Sequence, residues 1–257
     1  MGFGTFSVQS APPDTNATVG PNHIVEMVNT SFAVFSKTGV VLAGPTANNT
    51  IWSGFGGGCQ TNNDGDGTVR YDALANRWVV QQFSVRTTPY LECFAVSTTA
   101  DPTGTYNRYS FQYTNFPDYP KMSVWPDAYY ITFNQFTSDT GPFVGGLVCA
   151  YDRGQMLQGL PASQQCFDVG PAFGGLLTSD LDGSRLPPAG SPNFVLALDS
   201  PSSLVFWKFH IDWTTPGSTT LTGPTIIPVT PFAEACAPTL TCIPQSGTSQ
   251  QLDSLGD

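Results

Sequence analysis

Apolar residues in this chain come in short runs, broken by Gly, Pro, Asn and Asp. His23–Asn29, Ser31–Ser36, Arg77–Ser84, Leu91–Ser97, Ala128–Phe136, Gly145–Tyr151, Asn193–Asp199 and Ser203–Asp212 are the clearest. They are rich in Val, Ile, Phe, Tyr and Trp, which suit a pleated, half-buried surface, so the pattern predicts strands between turns. In Arg77-Trp-Val-Val-Gln-Gln-Phe and Ala128-Tyr-Tyr-Ile-Thr-Phe-Asn the apolar positions are almost continuous, which predicts strands covered on both faces. No helical stripe persists for three turns. Asp152-RGQMLQGLP predicts one or two turns, capped by Asp152 and stopped by Gly159 and Pro161.

The strands fall into a repeat. An aspartate opens a loop, an apolar strand follows, a turn interrupts, and a second strand runs out. The copies are Asp14-TNATVGPN-HIVEMVN, Asp66-GTVRYDALAN-RWVVQQF, Asp118-YPKMSVWPD-AYYITFN and, more loosely, Asp182-GSRLPPAGSPN-FVLAL. The tail Asp253-SLGD reads as the opening of a fifth. This period in a strand-rich chain predicts a β-propeller of four-stranded blades, with four blades and the start of another. The blades are expected at about 14–58, 62–113, 117–175 and 179–230, with 233–257 a loop and a further blade's start. All belong to one domain, its ring incomplete or completed by another chain. Equivalent blade positions meet around one axis, so the aspartates are expected to converge. Trp52, Trp78, Trp125, Trp207 and Trp213 recur about once per unit, as inter-blade packing would require.

Charge narrows the function classes. The net charge is −10 with only nine Lys and Arg, which argues against nucleic acid and against an anionic membrane surface. No apolar stretch approaches the ~20 residues of a membrane-spanning helix. Six cysteines with local spacing predict the disulfides Cys59–Cys93, Cys149–Cys166 and Cys236–Cys242. They point to a secreted, extracellular protein. Met1-GFGTFSV has no basic start or long apolar run, so the export signal is expected to be absent from this chain.

The segments PPDTNATVGPNHIVEMVNTSFAVFSKTG, DGTVRYDALANRWVVQQFS, DPTGTYNRYSFQYTNFPDYPKMSVWPDAYYITFN and YDRGQMLQG span most of the chain. They resemble a family of secreted bacterial β-propeller proteins, most of them uncharacterised, with blade motifs similar to those of sialidase-type propellers. The resemblance implies the fold and action on, or binding of, glycans. In such relatives the equivalent of QLDSLGD is followed by further blade sequence.

Four constellations could carry chemistry. Asn62-Asn63-Asp64-Gly65-Asp66-Gly67 has the oxygen density of a Ca²⁺ loop, with Asp64, Asp66 and Asp182 as metal ligands. The alternative is an Asx-turn, in which these side chains bond the local backbone. Asp66 and Asp118, with Tyr119 beside them, could act as acid and base on a glycosidic bond. A sialidase needs an arginine cluster for its substrate's carboxylate, and no arginine triad is evident at matching blade positions. There is no Gly-x-Ser-x-Gly elbow for nucleophilic catalysis. Lys121, Trp125 and Tyr129 are candidate ligand-binding residues in an aromatic-dense stretch. The expected function is a carbohydrate- or protein-binding module, the partner a polysaccharide or a protein. The alternatives are a glycan-cleaving hydrolase or lyase, or a structural subunit that self-associates through unpaired strand edges.

Overall fold

The computed structural model describes residues 12–183, 185–233, 235–239 and 241–253. It is all-β, with four four-stranded antiparallel sheets in chain order. Sheet one holds β1 (Asn16–Val19), β2 (His23–Val28), β3 (Ser31–Ser36) and β4 (Val41–Ala47). Sheet two holds β5 (Thr68–Asp72), β6 (Arg77–Ser84), β7 (Tyr90–Ser97) and β8 (Tyr106–Tyr113). Sheet three holds β9 (Phe116–Val124), β10 (Tyr129–Phe136), β11 (Phe143–Tyr151) and β12 (Gln164–Gly170). Sheet four holds β13 (Leu177–Thr178), β14 (Asn193–Ser200), β15 (Ser203–His210) and β16 (Thr220–Pro228). Each is a simple meander.

Successive sheets stack like blades. The first strands lie side by side and are stitched by polar links. Val69 N–H donates to Asn16 Oδ1 at 2.9 Å, Arg70 Nε to the Met122 carbonyl at 2.9 Å, and Val124 N–H to Asp180 Oδ1 at 2.7 Å. Three hydrophobic clusters fill the joints. Met27, Trp52, Trp78 and Val80 join sheets one and two. Phe94, Phe111, Tyr129, Phe133 and Tyr151 join two and three. Tyr130, Val195, Trp207 and Phe209 join three and four. In sheets two and three the side-chain period of two puts one face of a strand into the joint before it and the other into the joint after, so their middle strands are apolar at most positions.

The outer flanks are open. On sheet one's free face Val19 is 56% exposed, and on sheet four's Leu177 and Leu198 are 54% and 50% exposed. The arrangement is propeller-like without a demonstrated closed ring. Leu252–Asp253 (β18) pairs with Thr241–Ile243 (β17) in a two-stranded ladder, and residues 254–257 of the expected fifth opening lie outside the described residues.

The three disulfides pair as expected: Cys59–Cys93, Cys149–Cys166 and Cys236–Cys242. The helix α2 (Arg153–Gln158) is capped by the Asp152 carboxylate, which accepts from Gln155 N–H at 3.0 Å, and it stops at Gly159 with φ +70°. A short helix that the Gly-rich Gly54–Gly58 stretch does not suggest, α1 (Gly57–Thr61), forms after all. Cys59 anchors it to β7 through its disulfide, and Gln60 Oε1 accepts from Gly56 N–H. Tertiary tethering overrides poor propensity there.

One expectation about register is corrected. Asp14 and Asp66 each precede their sheet's first strand by two residues, whereas Asp182 follows β13 and begins the loop to β14. The residue two before β13 is Gly175. Gly175 N–H donates to Asn134 Oδ1, as Asp66 N–H donates to Asn29 Oδ1. Both positions have positive φ, +60° and +47°. Gly175 is therefore the fourth counterpart of Asp66, and Asp182 lies at the other end of its strand.

Candidate functional site

The site is assembled by a recurring asparagine clamp. Asn29, directly after β2, reaches in three directions. Its amide donates to Asp14 Oδ2 and to the Pro12 carbonyl, and its Oδ1 accepts from Asp66 N–H at 2.7 Å. Gly65 is required at this point. A Cβ there would sit 2.5 Å from Asn29 Oδ1, and the residue has φ +107°. Asp14 and Asp66 adopt φ of +40° and +47°, a region that short polar side chains tolerate better than others. The clamp thus brings the openings of sheets one and two together.

Sheet three supplies Asp118 through a bulge. Asn134 pairs with Asp118 and Thr132 with Lys121, so β9 advances three residues while β10 advances two. The extra residue is absorbed where Tyr119 takes φ +56°. Tyr119 is exposed, and the Lys121 ammonium lies 3.3 Å from its ring centroid.

Electrostatics tie these groups into one site. The Asp66 carboxyl is pushed up to about 7, first by burial, then by the charges of Asp118 and Asp14 and a hydrogen bond with Asp14, with Lys121 opposing. Asp118 is also raised, chiefly by burial and further by Asp14, while a hydrogen bond from Tyr119 N–H and Lys121 act against it. Asp14, Asp66 and Asp118, from three adjacent sheets, therefore share one neighbourhood, in which burial and like charge favour the protonated form of Asp66.

The remaining expected site residues lie elsewhere. Asp64 is spent on the turn between β6 and β7: Oδ2 accepts from Val85 and Arg86 N–H, and Oδ1 pairs with the Arg86 guanidinium at 2.8 Å. Asn62 and Asn63 likewise anchor Ser84 and the Thr30 carbonyl. These bonds reach 21 to 33 residues along the chain, so the side chains tether distant turns instead of closing the local Asx-turn that was the alternative to a metal loop. Asp182 acts on Asp180, beside Arg70. Asp64, Asp66 and Asp182 do not form one ligand set, and among the described residues no group of three His, Cys, Asp or Glu side chains could hold a metal.

Trp125 and Tyr129 are core residues. Trp125 donates its indole N–H to the Ser191 carbonyl, and Tyr129 donates its hydroxyl to Asp72 Oδ2 at 2.9 Å. Both are buried by the neighbouring sheet, which leaves neither a face for a ligand. Asp72 also receives a two-pronged ion pair from Arg153, Nε to Oδ2 at 2.7 Å and Nη2 to Oδ1 at 3.0 Å. This fully buried carboxylate locks α2 to the sheet-two turn.

Residues that the repeat alone does not single out complete the picture. Asn29 is visible in sequence only as part of a sequon. Glu92 is fully buried on β7 and is raised well above the usual carboxylate range by burial, then by Asp66. In Leu91-Glu-Cys nothing distinguishes it from an outward-facing polar position. No protein-family model, curated protein or solved structure matches this chain.

Proposed function

We propose that this chain is an extracellular propeller-like protein whose acidic mouth binds a neutral, hydroxyl-rich ligand, a carbohydrate. The observation that carries this reading is the gathering of the Asp14, Asp66 and Asp118 carboxyl groups in one neighbourhood, with Lys121 alongside. Near neutral pH such a set offers both kinds of hydrogen-bond partner. The Lys121 ammonium and the Asp66 carboxyl, when it holds its proton, donate, and the carboxyl oxygens of the set accept. A sugar hydroxyl needs one of each. An anionic sugar fits poorly, because five arginines are committed elsewhere: Arg70, Arg77 and Arg108 to backbone carbonyls, Arg86 to Asp64 and Arg153 to Asp72. The three disulfides favour an extracellular setting.

A second reading, glycosidic cleavage, is favoured by one observation. A carboxyl group at about 7 beside a second carboxylate matches an acid and its base. Glycan-array binding at pH 6 separates the outcomes. Wild type binds neutral oligosaccharides, and Asp66→Asn and Asp118→Asn each weaken binding about tenfold, the size expected for losing a charge-assisted hydrogen bond. New reducing ends, formed by wild type and absent with Asp66→Asn, would establish the catalytic reading. Indifference of binding to both substitutions sinks the site.

A further inference from the structure

The face that sheet two turns to sheet three carries polar side chains among its aromatic and aliphatic ones; Arg70, Asp72 and Asn107 find partners there, whereas Thr68, Gln81 and Glu92 leave oxygens without any. Register puts Thr68 opposite Gln81, and Gln81 opposite Phe94. Glu92 lies two residues from Phe94 on β7, so it shares that face and is the diagonal neighbour of Gln81. The contacts of Phe83 with Phe116 and of Phe94 with Tyr151 show that this face meets sheet three. Thr68 is 9% exposed, and Gln81 and Glu92 are 0% exposed.

Their oxygens are unsatisfied. Thr68 Oγ1, Gln81 Oε1 and both carboxylate oxygens of Glu92 have no hydrogen-bond partner. Gln81 Nε2 is spent on the Asp66 carbonyl at 3.1 Å. The charged group that acts on Glu92 is Asp66, another acid. Burying a carboxylate with neither donor nor cation is among the costliest arrangements a core can hold. With a proton on Glu92, that carboxyl and the Thr68 hydroxyl hold two donors among the four oxygens, none of which is bonded. A hard cation provides for all of them at once, because calcium-like ions take carboxylate, amide and hydroxyl oxygens together in flexible geometry.

We propose that Glu92, Gln81 and Thr68 form an internal binding site for a hard, oxygen-seeking cation of the Ca²⁺ type, wedged between sheets two and three behind the acidic mouth. The site holds a single acid, so it differs from the Asp64–Asp66–Asp182 set that the loop sequence suggests. It does not rest on the reading of the mouth as a sugar site, since its readout is metal binding in the absence of any glycan.

The test uses the whole chain, stripped by chelator and titrated with CaCl₂, with MgCl₂ and NaCl as separate arms. Elemental analysis after gel filtration should find about one Ca²⁺ per chain, and saturating Ca²⁺ should raise the melting temperature by roughly 5 °C or more, as ligand linkage requires. Glu92→Gln should abolish that rise and should melt above metal-free wild type, because a neutral amide is cheaper to bury. Thr68→Val keeps the shape of its side chain and serves if Glu92→Gln fails to fold; it should weaken Ca²⁺ binding about tenfold. Asp118→Asn should leave the response intact. Overturning results are no metal and no thermal response in any arm, an unchanged response in Glu92→Gln or in Thr68→Val, or a response lost in Asp118→Asn, which would move the ion to the mouth.

Discussion

The joint between sheets two and three and the free face of sheet four are made of the same kinds of side chains. Their fates are opposite. In the joint, Phe94 lies 4.4 Å from the Tyr151 ring centroid, and both are fully buried. On the free face, Phe194 stacks on Phe206 at 5.6 Å within the sheet, and Leu177 and Leu198 stay half exposed. The strand patterns of the two sheets are equally apolar, so composition does not decide burial. A neighbouring sheet does. Apolar area is worth about 25 cal/mol per Å² only when something removes it from water.

Phe94→Ala and Leu198→Ala break this comparison most sharply. The first should cost about 3–5 kcal/mol in urea unfolding, as for other large-to-small core changes. The second should stay within about 0.5 kcal/mol, as at ordinary surface positions. Equal costs would mean that sheet four's free face is covered in solution. Next comes Asp72→Asn, which leaves the Arg153 guanidinium at the buried end of the joint without its counter-charge. Breaking a buried pair on one side costs about 3 kcal/mol, and free α2 should become more protease-sensitive. A loss under 1 kcal/mol would mean that the aromatic packing alone holds α2.

The smallest effect concerns the mouth-side rim of the same joint. Folding raises Asp66 to about 7, so the folded state binds its proton more tightly than the unfolded chain. The stabilisation from that proton is complete below pH 4 and is lost as pH rises through 7. Wild type should therefore lose on the order of 2 kcal/mol between pH 5 and pH 8, and Asp66→Asn should flatten that slope. Parallel pH profiles for the two proteins would place the titration elsewhere.

Much of the architecture was legible in the chain, because strand runs and turns recur at a blade's length and the cysteines are locally spaced. The cap and stop of α2 were equally plain, since Asp152 and Gly159 act through local geometry. The spacing of Asp14, Asp66 and Asp118 anticipated that these carboxyl groups would come within reach of one another. Asp182 misled because the repeated constraint is a positive-φ residue held by an asparagine, and glycine satisfies it as well as aspartate does. Gly175 does so without any carboxylate. Trp125 and Tyr129 look like ligand platforms in a linear reading, yet the sheet beyond them takes their faces. Glu92 was invisible for the converse reason: one polar letter in a strand carries no mark of which neighbour will cover it.

The indoles of this protein are unevenly placed. Trp52 and Trp78 sit between sheets one and two, and Trp125 and Trp207 between three and four, with Trp213 packed beside the latter. The middle cluster contains tyrosines and phenylalanines and no tryptophan. Fluorescence excited at the indole band therefore watches the two outer seams and is blind to the central one, which only tyrosine signals report. Melting curves recorded in the two optical channels will superimpose if all three seams part together, and separate if the centre outlasts the flanks.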